Sequence, residues 1–297
     1  VPETQRTDNS RTEDAMLSFF GRLTYDYQAK YLFSASLRKD GSSRYAKDNR
    51  WGVFPGLSAG WNIHKEPFWE SLRKQVSTFK LRSSWGQAGN NELSIADTQG
   101  AYSIGYPYAG EVGILNTTLA NRTLKWETTT SFDIGADVGF FNDRLNLVTE
   151  IYQKVVSNRL FDQSLDGSTG FSSIKSNYGS IKTRGVDIEL AANPVRSEDF
   201  TWDLSFTFSF FRSIANNLPE NGHDKNRIGG GIIWDKDAEA YVMVGGTAEG
   251  ERFGGRWAYK MIGVYATDEE AAAAPFDVAA NGRTKEGGDA IREDTDE

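Results

Sequence analysis

The sequence predicts an all-β chain: a meander of antiparallel strands forming a segment of a transmembrane β-barrel, part of a larger barrel and open in this chain. Three observations predict it. Apolar and polar residues alternate over runs long enough to cross a bilayer, aromatic residues end the apolar face of the clearest run, and short and long connections alternate down the chain. A strand points successive side chains to opposite faces, so alternation gives one apolar and one wet surface. A barrel wall between lipid and a water-filled lumen needs that division, with aromatic rings near both interfaces.

The runs can be taken in order. Leu17, Phe19, Leu23, Tyr25 and Tyr27 alternate with Ser18, Arg22, Thr24 and Asp26, and only Phe20 breaks the polar face. Tyr31, Phe33, Ala35 and Leu37 then oppose Ser34, Ser36 and Arg38, and Val53 to Ile63 oppose a Gly- and Ser-rich face. Phe79, Leu81 and Trp85 face away from Lys80, Arg82 and Ser84. The clearest run spans residues 126–140: Trp126, Thr128, Thr130, Phe132, Ile134, Ala136, Val138 and Phe140 against Glu127, Thr129, Ser131, Asp133, Gly135, Asp137 and Gly139. Leu145, Leu147, Ile151 and Val155 follow, blurred by Val148, Tyr152 and Val156. Val186, Ile188, Leu190 and Ala192 oppose Asp187 and Glu189, and Phe200, Trp202, Leu204, Phe206, Phe208 and Phe210 oppose Thr201, Asp203, Ser205, Thr207 and Ser209. Many runs reach the ~9–11 residues that a tilted strand needs to span a membrane.

Short turns fall at residues 28–30, 141–144 and 194–199, and long polar segments at 40–50, 90–125, 157–181 and from 212 onward, with a mid-length link at 64–78. A soluble sandwich has no reason to gather its long loops at one end, whereas an outer-membrane barrel has short periplasmic turns and long external loops.

Composition fits this reading. A mean hydropathy of −0.53 and 25% charged residues look water-soluble, but barrel strands give lipid only every second residue and hydropathy averages miss them. The absence of Cys excludes disulfides, thiolate metal sites and Cys nucleophiles. A net charge of −8 argues against a nucleic-acid partner. Residues 1–15 read as a polar lead-in without a signal peptide, 16–265 as a partial barrel, and 266–297 as an acidic, Ala-rich extracellular loop or truncated end. Nothing after about Val264 reads as a strand, so the chain is expected to be an internal piece of a longer barrel.

Several blocks, in order and spacing, resemble one family. They include Phe19-Phe20-Gly21-Arg22, Arg38-Lys39-Asp40-Gly41, Gly52-Val53-Phe54-Pro55-Gly56, Leu81-Arg82-Ser83-Ser84-Trp85-Gly86, Asn177-Tyr178-Gly179-Ser180 and Gly185-Val186-Asp187-Ile188-Glu189-Leu190. Over roughly residues 16–265 the chain resembles the C-terminal half of the barrel in SusC/RagA-like TonB-linked outer-membrane transporters (TonB-dependent receptors) of Bacteroidetes. The resemblance implies a 22-stranded barrel in the cell outer membrane, plugged by an N-terminal domain. It further implies a SusD-like lipoprotein cap, coupling to the TonB complex through parts outside this chain, and uptake of oligosaccharides or peptides. It implies no cofactor and no enzymatic activity.

Few residues suggest chemistry of their own. His64 and His223 sit in different connections without metal-ligand spacing and read as solvent-exposed loop residues. Gly229-Gly230-Gly231 lacks the Lys and Ser/Thr of a phosphate loop. Asp294, Asp296 and Glu297 lack the Gly and distal Glu of a calcium loop. Residues 66–72 read as a short helix with Pro67 in its first turn, packing Phe68, Trp69 and Leu72 against the barrel rim. Tyr102, Tyr106, Tyr108 and Trp234, in the long segments, are the candidate substrate or partner contacts. Aromatic faces suit sugar rings, although packing of the loops or contact with the cap is the favoured role. The competing classes are a carbohydrate-binding or adhesin β-protein and a passive porin. An enzyme is third, since no acid/base or nucleophile constellation stands out.

Overall fold

The computed structural model describes residues 13–235, 239–255, 261–273 and 286–292. The elements in chain order begin with β1 (Met16–Tyr27), β2 (Tyr31–Ser42), β3 (Trp51–Asn62), β4 (Val76–Asn90), α1 (Ile95–Gln99), β5 (Ala101–Tyr108) and β6 (Glu111–Thr118). There follow β7 (Glu127–Phe140), β8 (Leu145–Ser157), β9 (Leu160–Ser164), β10 (Ser173–Asn177), β11 (Ser180–Arg196) and β12 (Thr201–Asn217). The last are β13 (Gly231–Asp235), β14 (Ala240–Val244), β15 (Met261–Val264), α2 (Asp268–Ala273) and β16 (Ala290–Arg292).

Eight long strands form one antiparallel sheet in the order β1-β2-β3-β4-β7-β8-β11-β12. Its two outermost strands, β1 and β12, each have a single partner, so the sheet is open at both edges as expected. The remaining strands pair two by two, β5 with β6, β9 with β10, β13 with β14 and β15 with β16. The pairing of β15 with Ala290–Arg292 corrects the expectation that no strand follows Val264. That strand is three residues long, too short to show a period. The chain divides into two compact units, one running to Glu220 and including Glu249–Phe253, the other formed by Asn221–Ala248 and Gly254 onward.

The strands extend beyond the alternating runs. β4 continues past Trp85 to Asn90, and β12 continues past Phe210 to Asn217. Backbone ladders need no hydrophobic period, so pairing persists where the apolar pattern has ended. β11 carries a register shift between Ala192 and Val195, at Pro194. A proline lacks the N–H that a ladder requires and is tolerated at such a bulge.

Opposed residues in the ladder share a face, so the register shows how the surfaces are built. Leu23, Ala35, Leu57, Trp85 and Phe132 lie in one row across five strands. Val138, Leu147, Leu190 and Phe206 form another. The apolar face is uncovered: Phe132 is 44% exposed, Ile134 52% and Phe206 60%, with Leu204 and Phe208 also exposed and Val138 half-buried. Ser83 is a polar residue on this face, and its hydroxyl donates to the Asp133 carbonyl at 2.8 Å. A surface this extensive and apolar is an aggregation hazard in water and an ordinary wall in lipid.

The short turns tolerate strained backbone because side chains hold them. Ala29 has φ 51°, and its amide donates to Asp26 Oδ1 at 2.6 Å. Asp143, at φ 59°, accepts from Ser77 Oγ at 2.7 Å and Thr78 Oγ1 at 3.0 Å, tying the β7–β8 turn to the start of β4.

Candidate membrane wall and extracellular rim

Aromatic pairs mark both ends of the apolar face. At the short-turn end Tyr27 stacks on Tyr31, and Tyr31 on Trp61, with ring centroids 6.4 and 6.2 Å apart. At the long-loop end Phe19 stacks on Trp51 at 6.2 Å, and Lys39 Nζ lies 5.2 Å from the Trp51 ring. Glu66 secures the short-turn girdle. Its carboxylate accepts from Tyr31 Oη at 2.8 Å, Trp61 Nε1 at 3.1 Å and Lys30 Nζ at 3.0 Å. These donors, Tyr31 first, hold the carboxyl below its ordinary pKa.

Beside Glu66 a 3-10 turn spans Pro67–Leu72, with Pro at its start. Only Trp69 docks as the sequence suggests, its ring 5.2 Å from Phe79 and its Nε1 donating to the Val76 carbonyl at 3.0 Å. Phe68 and Leu72 remain exposed, because a single short turn can present only one of these side chains to the sheet. His64 is half-buried rather than solvent-exposed, its Nδ1 3.0 Å from the Phe79 carbonyl oxygen; His223 is exposed.

The polar face carries a charge network across three strands. Arg82 on β4 lies over Gly135 of β7, where an added Cβ would meet its Cζ at 2.7 Å. Its Nη1 reaches Glu150 of β8 at 2.5 Å, while its Nε bonds Asp137 at 3.2 Å. Glycine at 135 leaves this path open, and a side chain there would have to displace the guanidinium. Tyr152 similarly lies across Gly185.

At the long-loop end a buried cluster closes over this face. Tyr45, Phe54, Leu93, Leu124 and Trp126 are all buried, with Leu160 packed against them. Tyr45 stacks on Trp126 at 5.0 Å, and Phe54 meets Trp126 edge-on at 5.6 Å. Burial pushes the Tyr45 phenol up to about 12, with the Glu127 carboxylate adding to the shift. Hydrogen bonds to backbone carbonyls lace the loops together. Trp126 Nε1 donates to Arg50 O at 3.1 Å, Asn121 Nδ2 to Lys175 O at 2.8 Å, and Asn177 Nδ2 to Lys125 O and Asn158 O, both at 2.8 Å. Sequence reasoning missed this rim: Trp126, expected to end the lipid-facing run, is instead buried here against Phe54, an aromatic residue at an inward position of β3, because β7 begins only at Glu127.

Tyr102 and Tyr106 lie on the β5–β6 hairpin and are exposed, 68% and 49%. Bulges beside Tyr102 and between Ile104 and Tyr106, where Gly105 has φ 110°, set the facing of the hairpin. Among the described residues neither tyrosine meets another ring. Tyr108 pairs with Glu111 through its backbone, and its side chain lies outside the described residues. Trp234 is on β13 in the other unit, exposed, its ring edge-on to Tyr241 at 5.1 Å. Asp294, Asp296 and Glu297 fall outside the described residues; among the described residues no group of three or more His, Cys, Asp or Glu side chains is placed to hold a metal ion.

Exposed apolar rows between two aromatic girdles, a charged inner face and long loops on one side define a segment of a large outer-membrane β-barrel. The chain belongs to the TonB dependent receptor-like β-barrel family, whose sequence profile matches residues 2–283. It is 35% identical over 269 residues to TonB-dependent receptor P39 of Formosa agariphila, covering 91% of this chain and 24% of that relative. It is 33% identical to TonB-dependent receptor SusC of Bacteroides thetaiotaomicron, over 79% of this chain and 23% of SusC. Among solved structures, the RagAB peptide transporter superposes on 72% of this chain and 24% of that one, with TM-score 0.64 and 28% identity. The chain thus spans about a quarter of the length of the relatives it matches. Its place is the outer membrane, with the apolar face toward lipid and the laced loops on the extracellular side.

Proposed function

We propose that the chain is part of the wall and extracellular rim of an active importer, energised through TonB, that takes up oligosaccharides or peptides with a SusD-like lipoprotein over its mouth. The observation that carries this reading is the pairing of a lipid-facing wall with a rigid rim. A passive adhesin needs no charged inner face, and the family's SusC and RagAB members supply the transport precedent. Tyr102 and Tyr106 on the β5–β6 hairpin are exposed, as is Trp234 on β13, so these aromatics are offered to a substrate or to the lipoprotein. The peptide assignment of RagAB keeps peptides beside oligosaccharides as the substrate class.

Uptake of labelled oligosaccharides and of labelled peptides by cells carrying the full-length protein tests this. Uptake should stop when the proton gradient is collapsed and when the lipoprotein is deleted. Uptake that survives loss of the gradient makes the protein a passive porin. Tyr102→Ala with Tyr106→Ala should reduce uptake severalfold while the barrel still folds; unchanged uptake removes the hairpin from the site.

A further inference from the structure

On β8, β11 and β12 the apolar series of the lipid-facing surface is interrupted at one level, with Val155 and Ile214 beyond it. Gln153, Arg184 and Arg212 stand directly opposite one another across these three strands, and Lys182 occupies the next outward position toward the extracellular end. Arg184 Nε donates to Gln153 Oε1 at 2.8 Å, which orients its guanidinium. Arg184 and Arg212 are exposed. Among the described residues no carboxylate pairs with either, or with Lys182. Like charges facing each other across a ladder are destabilising unless an anion lies between them, and guanidinium forks match phosphate oxygens.

The surroundings specify what kind of anion fits. Immediately below the arginines is a groove of about 460 Å³ whose apolar lining includes Ile134, Ile151, Val186 and Phe210, with Gln153, Arg184 and Arg212 also on its wall. Arg212 lies ten positions beyond Trp202 at the periplasmic end. At roughly 3.4 Å per residue and a strand tilt of about 40°, that places it about 25 Å higher, at the upper edge of the apolar band. The head groups of the outer leaflet lie at this depth. A free anion makes no use of an apolar groove.

The geometry points to a site for a phosphorylated glycolipid of the outer leaflet, its phosphate held between Arg184 and Arg212 and an acyl chain lying in the groove beneath. This rests on the outer-membrane placement of the wall and goes beyond import, since the site is on the outside of the barrel.

The full-length protein, purified in mild detergent and reconstituted in nanodiscs containing lipid A, provides the test. Retained lipid is counted by mass spectrometry after detergent washing. Arg184→Gln with Arg212→Gln should lower retention at least about tenfold, the loss expected when about 1.4 kcal/mol of charge-assisted bonding is removed. Arg184→Lys with Arg212→Lys should keep part of it, and Lys154→Gln, on the lumen face, should change nothing. Equal retention by the Gln variant, equal retention of dephosphorylated lipid A, or displacement by inorganic phosphate alone overturns the proposal. Heat-modifiable migration in gels separates the two readings: a barrel that inserts but holds no lipid A refutes only this site, while one that does not insert refutes the membrane wall itself.

Discussion

Arg82 and Glu150 are joined across an intervening strand: the guanidinium passes over Gly135 and its Nη1 meets Glu150 Oε2 at 2.5 Å. Both side chains are 30% exposed, so the pair is only partly screened by lumen water. In a double-mutant cycle, Arg82→Met and Glu150→Gln should couple by about 1 kcal/mol, measured by urea unfolding of the full-length protein in vesicles. Gly135→Ala should erase that coupling by pushing the guanidinium aside. Coupling that survives in the Gly135→Ala background would show that the crossing over glycine is incidental.

Adjacent residues on β12 should differ sharply in tolerance. Phe206→Arg places a charge on the lipid face and should cost roughly 2–4 kcal/mol if the position lies near the bilayer midplane. Ser205→Arg points into the water-filled lumen and should cost far less. Folding into lipid vesicles reads both, and equal tolerance would mean that neither face meets lipid.

The extracellular rim should be sensitive to alkali. Burial pushes the folded Tyr45 phenol up to about 12, against about 10 when unfolded. Because the folded value is raised, this contribution is fully present below pH 10 and is lost as pH climbs toward 12, on the order of 2–3 kcal/mol. Tyr45→Phe keeps the stacking on Trp126 and should flatten that part of the pH profile of unfolding. An unchanged profile would count against a buried phenol.

At the periplasmic girdle the sign is reversed. The Glu66 carboxyl is held below its ordinary value by Tyr31, Lys30 and Trp61, so its contribution is present above the unfolded pKa near 4.5 and is lost as pH falls through the lower folded value. Hydrogen exchange in residues 63–72 should accelerate on acidification below that range, and Glu66→Gln should make exchange fast and insensitive to this titration. Protection that holds at acid pH in the natural protein would sink the idea.

Much of the wall was legible in the sequence because lipid imposes a strict period: Phe132, Ile134 and Val138 cannot exchange faces with Asp133 and Asp137 without burying charge in hydrocarbon. Strand ends were less legible. Beyond Phe210 the outward series continues with Arg212, so β12 no longer reads as a membrane strand although its ladder runs on to Asn217. The β5–β6 hairpin escaped detection because its bulges interrupt the alternation, and β9 and β10 are only five residues each. The rim cluster joins Tyr45, Leu93 and Trp126 across three connections, a grouping that local sequence cannot announce. Tyr102, Tyr106 and Trp234 lie in the long segments outside the wall strands, but on strands β5 and β13 rather than in irregular loops, and their distribution between a hairpin and a separate unit follows from tertiary structure alone.

The lacing of the rim has an implication for engineering. Trp126, Asn121 and Asn177 all donate to main-chain carbonyls, and every residue type supplies the same carbonyl. Three donors therefore fix the frame while leaving the side chains at the accepting positions unspecified. The hairpin between Ala101 and Thr118 emerges from this frame as an exchangeable cassette. Grafting the corresponding hairpin of a relative onto the same donors would transplant its recognition surface without disturbing the scaffold that carries it.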